Sequence, residues 1–284
     1  MGGLRFLTAG ESHGKGLVAI AEGMVSDLPL KERYINRELK RRQQGYGRGG
    51  RMKIEDDKVE IIAGVRHGFT TGSPIALFIA NRDWANWQQE LRVSPVDEEV
   101  DPVTCPRPGH ADLAGVMKYG LTDIRPIMER ASARETAARV AVGAIARRFL
   151  EEFGVAIHSY TAAIGRHHWE PSKVSSLDWR QVEASPVRCA NVKVEQAMVK
   201  AIDEAKADGD TLGGVFEVIV TGVPIGLGSH VSWDRRLDGR ISRAIMSINA
   251  VKGVEIGGGF ALAGLRGSQA HDIIEPNPRG KAKE

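Results

Sequence analysis

Apolar residues recur along this chain with two periods, and the switches between them mark out the elements. Leu4–Thr8 and Leu17–Glu22 read as strands, with the Gly/Ser/His segment Ala9–Gly16 as a loop between them. From Pro29 to Gln43 the spacing changes. Tyr34, Ile35 and Leu39 fall on one face and Lys, Arg and Glu on the other, which predicts an amphipathic helix. That helix runs into Gly45-Tyr46-Gly47-Arg48-Gly49-Gly50-Arg51. Strands are expected at Val59–Ala63 and Ile75–Ala80, followed by a long polar excursion, Asn81–Thr104, that carries Trp84 and Trp87. The clearest helix is Ala133–Phe153, where Val142, Ile145, Phe149, Leu150 and Phe153 recur at three- and four-residue steps and Gly154 follows as a C-cap. Beyond it the pattern gives a strand at Val155–Ile164, a helix at Glu195–Ala207, a strand at Val215–Val220, a helix at Ser242–Ile248 and a strand at Val254–Leu265. The polar stretch His271–Glu284 reads as a disordered tail. The order is mixed, so the expectation is an α+β fold with residues 1–270 as a single domain.

Composition changes this picture in one respect. Apolar residues make up 42% and charged residues 26% of the 284, ordinary values for a globular protein with a sizeable core. Glycine is in excess, 33 residues against a typical share of roughly 7%. An excess of that kind points to tight turns or to backbone that must approach a ligand closely. The net charge of +3 is too small to argue for nucleic acid by itself. Its distribution is more telling: Arg41, Arg42, Arg48 and Arg51 are clustered, and Arg107, Arg125, Arg130 and Arg134 follow. Guanidinium groups on loops suit carboxylate and phosphate.

Two widely separated cysteines, Cys105 and Cys189, do not make a disulfide framework. No run approaches the roughly 18 apolar residues of a membrane span. The first residues lack a signal-peptide apolar region, and Phe6 stands where a myristoylation motif wants Ser or Thr. These features predict a cytoplasmic protein without a membrane partner.

The candidate chemistry sits in loops. Gly45, Gly47 and Gly50 fit G-x-G-x-x-G formally, but a helix precedes them and a strand follows, the reverse of a dinucleotide fingerprint. Exposed backbone N–H groups with flanking Arg forks fit an anion-binding loop better. His13 and His110 each lie in a Gly-containing loop, and histidine is the side chain most easily poised to exchange a proton near neutrality. Arg130-Ala131-Ser132-Ala133-Arg134-Glu135-Thr136 opens the long helix. Ser132 and Glu135 have the spacing of a capping box, and a helix N-terminus also attracts anions. Asp208–Gly214 reads as a turn, and His167 and His168 as surface residues. No His/Cys/Asp/Glu set has the spacing of a structural metal site.

Taken together, Thr8-Ala9-Gly10-Glu11-Ser12-His13-Gly14, Arg107-Pro108-Gly109-His110-Ala111-Asp112 and Arg130–Thr136 resemble, in order, the signatures of the chorismate synthase family. They are joined by Gly-Tyr-Gly-Arg-Gly-Gly-Arg-Met, Gly-Asp-Thr-Leu-Gly-Gly and Ser-Ile-Asn-Ala-Val-Lys-Gly, and the resemblance covers about Leu4 to Gln269. It implies a β-α-β sandwich, a helical layer between antiparallel sheets, assembled as a homotetramer. The implied activity is a lyase of the shikimate pathway, in aromatic amino acid biosynthesis. The reaction converts 5-enolpyruvylshikimate 3-phosphate to chorismate and phosphate by 1,4-anti elimination with reduced FMN. By the family pattern His13 would be the general acid at the substrate phosphate, and His110 would protonate the reduced flavin. Arg42, Arg48, Arg51, Arg107 and Arg134 would bind substrate anions. Arg130, Ala131, Ser132, Asn249 and Ala250 would touch FMN, and Arg42 and Arg48 are also assigned to NADP. NADPH would then be the source of reducing equivalents, through a separate flavin reductase.

The family pattern continues past Gly267-Ser268-Gln269 with an Asn-x-x-Gly-Gly segment, a Lys-Pro-x-Pro-x flavin loop and a later Arg/Asp segment, none of which is in this sequence. Their absence implies weakened flavin binding and low activity for this chain. The competing expectation is an inactive fragment or paralogue of the same fold. A nucleic-acid-binding module built on the Arg/Gly loops is disfavoured, because aromatic residues are only 6% and no aromatic-flanked basic stripe exists.

Overall fold

A computed structural model describes residues 3–49, 54–95 and 100–274. The chain forms two compact units, Met1–Gly222 and Val223–Glu284. The first opens with β1 (Arg5–Gly10), β2 (Gly16–Glu22) and β3 (Ser26–Pro29), then α1 (Glu32–Gln43). It continues with β4 (Val59–Ala63), β5 (Val65–Arg66), β6 (Phe69–Thr71), β7 (Ile75–Ala80), α2 (Asp112–Tyr119), α3 (Arg125–Ala131) and α4 (Thr136–Glu151). Then come β8 (Ala156–Ile164), β9 (His167–His168), α5 (Trp179–Ala184), α6 (Val192–Ala207) and β10 (Gly214–Thr221). The second unit holds α7 (Leu237–Met246) and the short α8 (Gly267–Ala270).

Sheet pairing is antiparallel throughout the described residues. The main sheet has four strands in the order β1-β2-β7-β4, and three-stranded sheets have the orders β10-β8-β9 and β3-β6-β5. The architecture is α+β, as expected. Leu17, Ala19 and Ala21 of β2 alternate inward, as do Ile75, Leu77 and Ile79 of β7. They meet Ile35 and Leu39 of α1 and the buried face of α4 in one core. The α4 face is mostly small: Ala137, Ala138, Ala141, Val142, Ala144 and Ile145. Alanine brings the helix axis close to the sheet, so the first turn of α4 lies beside the end of β1. Tyr160 and Ala162 on β8 pack with Val182 of α5 in a second cluster, and Met198 of α6 packs with Val187 and Cys189 in a third.

Several expectations are corrected. The long helix starts at Thr136, after a single 3-10 turn Ala133–Glu135, and Phe153 is exposed beyond its end. Ser132 does cap, accepting from the Arg134 N–H, but the Glu135 carboxylate goes to Thr8 and Arg139, so the reciprocal half of the capping box is replaced by a tertiary bond to β1 and a local i,i+4 pair. Gly154 caps as predicted, at φ 74°, with the Val155 N–H returning to the Leu150 carbonyl. The helix expected at Ser242–Ile248 is α7, which begins at Leu237 and ends at Met246. Val254–Leu265 is not a strand. Gly257 and Gly259 take left-handed φ of 62° and 49°, which breaks an extended run, and Gly259–Gly264 is a 3-10 helix. The excursion Asn81–Thr104 contains a 3-10 helix at Arg82–Asn86, and α2, α3 and the β5–β6 hairpin were not expected. In the tail, residues 271–274 lie outside helix and strand, and residues 275–284 are outside the described ones.

Two glycines frame the loop between β1 and β2. Gly10 sits at φ 105°, and a Cβ there would lie 2.3 Å from the Gly16 carbonyl oxygen. A Cβ on Gly16 would lie 2.5 Å from both the Ile79 carbonyl and the Phe78 ring. Gly143, on the exposed side of α4, has nothing within 4 Å. Gly10→Ala is therefore expected to lower stability by at least about 2 kcal/mol through left-handed strain and backbone overlap. Gly143→Ala should instead raise it by about 0.5–1 kcal/mol, the helix-propensity difference. Urea unfolding midpoints of the two variants against the parent chain check both signs.

Candidate active site

The β1–β2 loop, residues 11–15, is held from two sides. From one side comes Asn81, buried just after β7. Its Nδ2 donates to the carbonyls of Glu11 (2.9 Å) and Gly14 (2.7 Å), and its backbone N–H donates to Lys15 (3.1 Å). From the other comes Glu129, on the last turn of α3 and 5% exposed. The Glu129 backbone carbonyl accepts from the Ser12 N–H at 3.1 Å, and its Oε2 accepts from the His13 N–H at 2.5 Å. Its Oε1 lies 2.7 Å from His13 Nδ1. Ser12 Oγ is also 3.0 Å from Ser132 Oγ, which joins the loop to the turn that starts α4.

His13 is consequently fixed but not sealed, with 23% of its side chain exposed. Its Nε2 points toward Asp83 Oδ2 at 3.8 Å, and its ring lies 4.4 Å, centroid to centroid, from Trp87. Both neighbours come from the excursion after β7. Partial burial and the like charge of Glu129 raise the carboxyl of Glu11 above its ordinary range.

Beneath the loop lies a buried ionic group. Arg134, 6% exposed, donates from Nε to Asn81 Oδ1 (3.0 Å) and from Nη1 to Asp57 Oδ1 (2.5 Å), and its Nη2 is 3.5 Å from Glu55. Arg42 from α1 shares Asp57 at 3.4 Å and donates to the Thr136 hydroxyl and the Ala133 carbonyl. The sequence marks Arg42 and Arg134 as anion binders, and the fold occupies both guanidinium groups with protein acceptors around the start of α4.

Arg107 and His110 form a second centre. Asp112, fully buried at the start of α2, accepts from the Arg107 backbone N–H, Nε and Nη2 at 3.0, 2.8 and 3.1 Å. These bonds hold the Asp112 carboxyl below the usual carboxylate range and push Arg107 above its already high one. The negative charge of Glu129 also acts on Arg107, which puts that guanidinium within electrostatic reach of the His13 loop. His110 is exposed, with Nδ1 3.2 Å from Arg107 Nη2. Arg130, also exposed, donates from Nη2 to the carbonyl and hydroxyl of Thr8 (2.8 Å each), and Ala131 and Ser132 follow it half-buried.

His13, Ser132, Arg134 and Arg42 are thus brought together through shared partners, Arg130 joins them through Thr8 and Glu135, and Arg107 pairs separately with Asp112 and His110. Arg48 faces other neighbours. It lines a cavity of about 760 Å³ with Tyr46, Ile202, Lys206 and Asp210, and none of the residues around His13 lines it. Arg51 and Gly50 are outside the described residues. Asn249 and Ala250 belong to the second unit, where Ala250 takes a left-handed φ of 68° in the turn after α7. The sequence reading missed Glu129, Asn81, Asp83, Trp87, Asp57 and Glu55. Glu129 immediately precedes the signature that opens at Arg130, and Trp87 is visible as an aromatic in a polar stretch, but their partners lie far away in sequence. Among the described residues no group of His, Cys, Asp and Glu could hold a metal ion, and no helix is long and apolar enough to cross a membrane.

Removing Arg134 would leave Asp57 and Glu55 buried without its charge and Asn81 without its donor. Arg134→Ala is expected to cost about 3–5 kcal/mol, with little relief from added salt because buried pairs are weakly screened. Urea unfolding at low and high ionic strength measures both.

A chorismate synthase family model matches residues 4–283, running past Gln269, where the motif resemblance stops. The chorismate synthase of Moorella thermoacetica is 59% identical over 276 residues, covering 95% of this chain and 70% of the relative. That of Aquifex aeolicus is 56% identical over 282 residues, covering 95% and 71%. A crystal structure of a chorismate synthase matches with a TM-score of 0.82 at 47% identity, over 99% of this chain and 77% of that one. Sequence and fold agree across nearly the whole length: the chain belongs to the chorismate synthase family.

Proposed function

We propose that this chain catalyses the 1,4-anti elimination of phosphate from 5-enolpyruvylshikimate 3-phosphate, giving chorismate, in the shikimate pathway and in the cytoplasm. The observation that carries the reading is His13: a half-buried imidazole, clamped at Nδ1 by Glu129, in a loop tied to Ser132 at the start of α4. A substrate that loses phosphate needs a proton delivered to the departing oxygen and positive charge around it. His13 Nε2 supplies the proton. Arg107, still 39% exposed after pairing with Asp112, supplies the nearby charge. Arg42 and Arg134 act chiefly by holding the loop and the start of α4 in place; by the family pattern Arg48 and Arg51 also bind substrate anions, Arg48 from the separate cavity it lines with Tyr46 and Ile202.

The donor set fits reduced FMN. Arg130 and Ser132 offer a guanidinium and a hydroxyl for an anion, and His110 presents an exposed imidazole steadied by Arg107. When bound, reduced FMN supplies electron density transiently, so that an elimination with no net redox change can pass its electron-poor stage. His110 holds a proton for the reduced ring, and the paired carboxylates Glu129 and Asp112 keep His13 and Arg107 oriented. NADPH, through a separate flavin reductase, provides the reducing equivalents. The working form is a homotetramer, which accounts for apolar side chains left exposed on edge strands: Phe6 and Leu7 on β1, and Phe216 and Val218 on β10.

Anaerobic mixing of the purified chain with chemically reduced FMN and 5-enolpyruvylshikimate 3-phosphate should release chorismate, followed by absorbance, and phosphate in equal amounts. His13→Gln should lower kcat by about 10²–10⁴-fold, the usual loss for a positioned general acid. Absence of turnover by the folded chain, with another family member active alongside, would refute the proposal. Native mass spectrometry should give four copies per particle.

A further inference from the structure

The Glu129 contact with His13 has an unusual form. One carboxylate takes both the ring Nδ1 of His13, at 2.7 Å, and the backbone N–H of the same residue, at 2.5 Å, while the Glu129 backbone carbonyl takes the Ser12 N–H. A residue gripped at its own backbone and at its ring has no remaining freedom to rotate. Glu129 is itself buried on α3, so the clamp is anchored to a helix rather than to another loop. A carboxylate is an acceptor only, so the nitrogen facing it must carry hydrogen. The neutral ring is thereby restricted to the Nδ1–H form, with the Nε2 lone pair directed outward toward Asp83 and the open side of the loop.

We infer that Glu129 is a positioning residue. It selects the Nδ1–H tautomer of His13 and aims Nε2 as the single site at which the ring gives and regains its proton. The inference rests on the reading of His13 as the acid of the elimination. Trp87, against the ring face, and Asp83, beyond Nε2, bound the space in which that exchange happens. The sidedness follows from the geometry: a proton leaving from Nε2 returns to Nε2, and Nδ1 never loses its own.

The Glu129→Gln variant separates the possibilities. The amide oxygen remains on the His13 backbone N–H, and its NH₂ group then faces Nδ1 as a donor, which forces the neutral ring into the Nε2–H form. Two measurements decide the matter. The first is the ¹⁵N ring shifts of His13 in the ¹⁵N-histidine-labelled chain without flavin or substrate, assigned by comparison with His13→Gln and taken at a pH where the ring is neutral. The parent chain should show Nδ1 protonated, and Glu129→Gln should show Nε2 protonated. The second is kinetics, where Glu129→Gln should lose on the order of 100-fold or more in kcat with KM for 5-enolpyruvylshikimate 3-phosphate changed less than about threefold.

A parent chain with Nε2 protonated overturns the proposal without any substitution, so a variant that fails to fold does not rescue it. An unchanged tautomer in Glu129→Gln also overturns it, while leaving the acid role of His13 to stand on His13→Gln. A tautomer that switches without loss of turnover would show that proton exchange does not depend on the form Glu129 selects, which overturns the inference, and the His13→Gln rate then decides separately whether His13 is the acid.

Discussion

Charge taken out of water must be met by opposite charge or by hydrogen bonds, and this requirement ties the functional part of the molecule together. Glu129, Asp57, Asp112 and Arg134 are all nearly inaccessible and each has named partners, although Arg134 Nη2 meets Glu55 only as an ion pair at 3.5 Å, without a hydrogen bond. Except for Asp112, those partners are remote: Glu129 meets His13 across 116 residues, and Arg134 meets Asp57 across 77 and Asn81 across 53. None of these groups can be buried before its partner has arrived. The loop that carries His13 therefore reaches its final shape only when β7, α3 and α4 have docked. The same contacts that make burial tolerable determine where the imidazole sits.

The hydrophobic framework prepares that docking. Alternating residues on β2 and β7 build an apolar surface, and the alanine face of α4 lets the helix settle against it with little standoff. Close approach brings the start of α4 against the end of β1, where Thr8, Arg130 and Glu135 interlock. Gly10 and Gly16 complete the arrangement, since a side chain at either would separate the strands that carry the loop. Packing thus sets the distances over which the polar contacts operate, and those contacts then fix register and orientation.

Much of this was legible in the sequence because it is local. The strands of the main sheet, α1, α4 and α6 follow from periodicity within a dozen residues, and the loops bearing His13 and His110 declare themselves by glycine and histidine among polar neighbours. What was not legible is pairing. Nothing near Glu129 says that its carboxylate clamps His13, and nothing near Asp57 says that it accepts from both Arg42 and Arg134. The strand expected at Val254–Leu265 is absent for a different reason: Gly257 and Gly259 take left-handed φ, which ends an extended run. The helices α2 and α3 carry the start signals Asp112 and Pro126, but at eight and seven residues they span too few turns for a helical period to stand out.

The arginines show why burial adds to what a signature contains. A family pattern marks Arg42, Arg107, Arg130 and Arg134 alike, yet the fold treats them differently. Arg42 and Arg134 are turned inward onto carboxylates and carbonyls, and their charge is largely used in holding α1, α4 and the His13 loop in register. Arg107 and Arg130 are anchored through part of the fork and keep exposed N–H groups facing solvent. An anchored but exposed guanidinium is the better anion receptor, because its orientation is fixed before binding and it loses little entropy when a phosphate or carboxylate arrives. A buried guanidinium already paired with carboxylates would have to surrender one first. On this chain, then, the positions that recognise a ligand and the positions that hold them in place are separated by depth, and the two roles meet at Glu129, which is buried like the second group and touches His13 of the first.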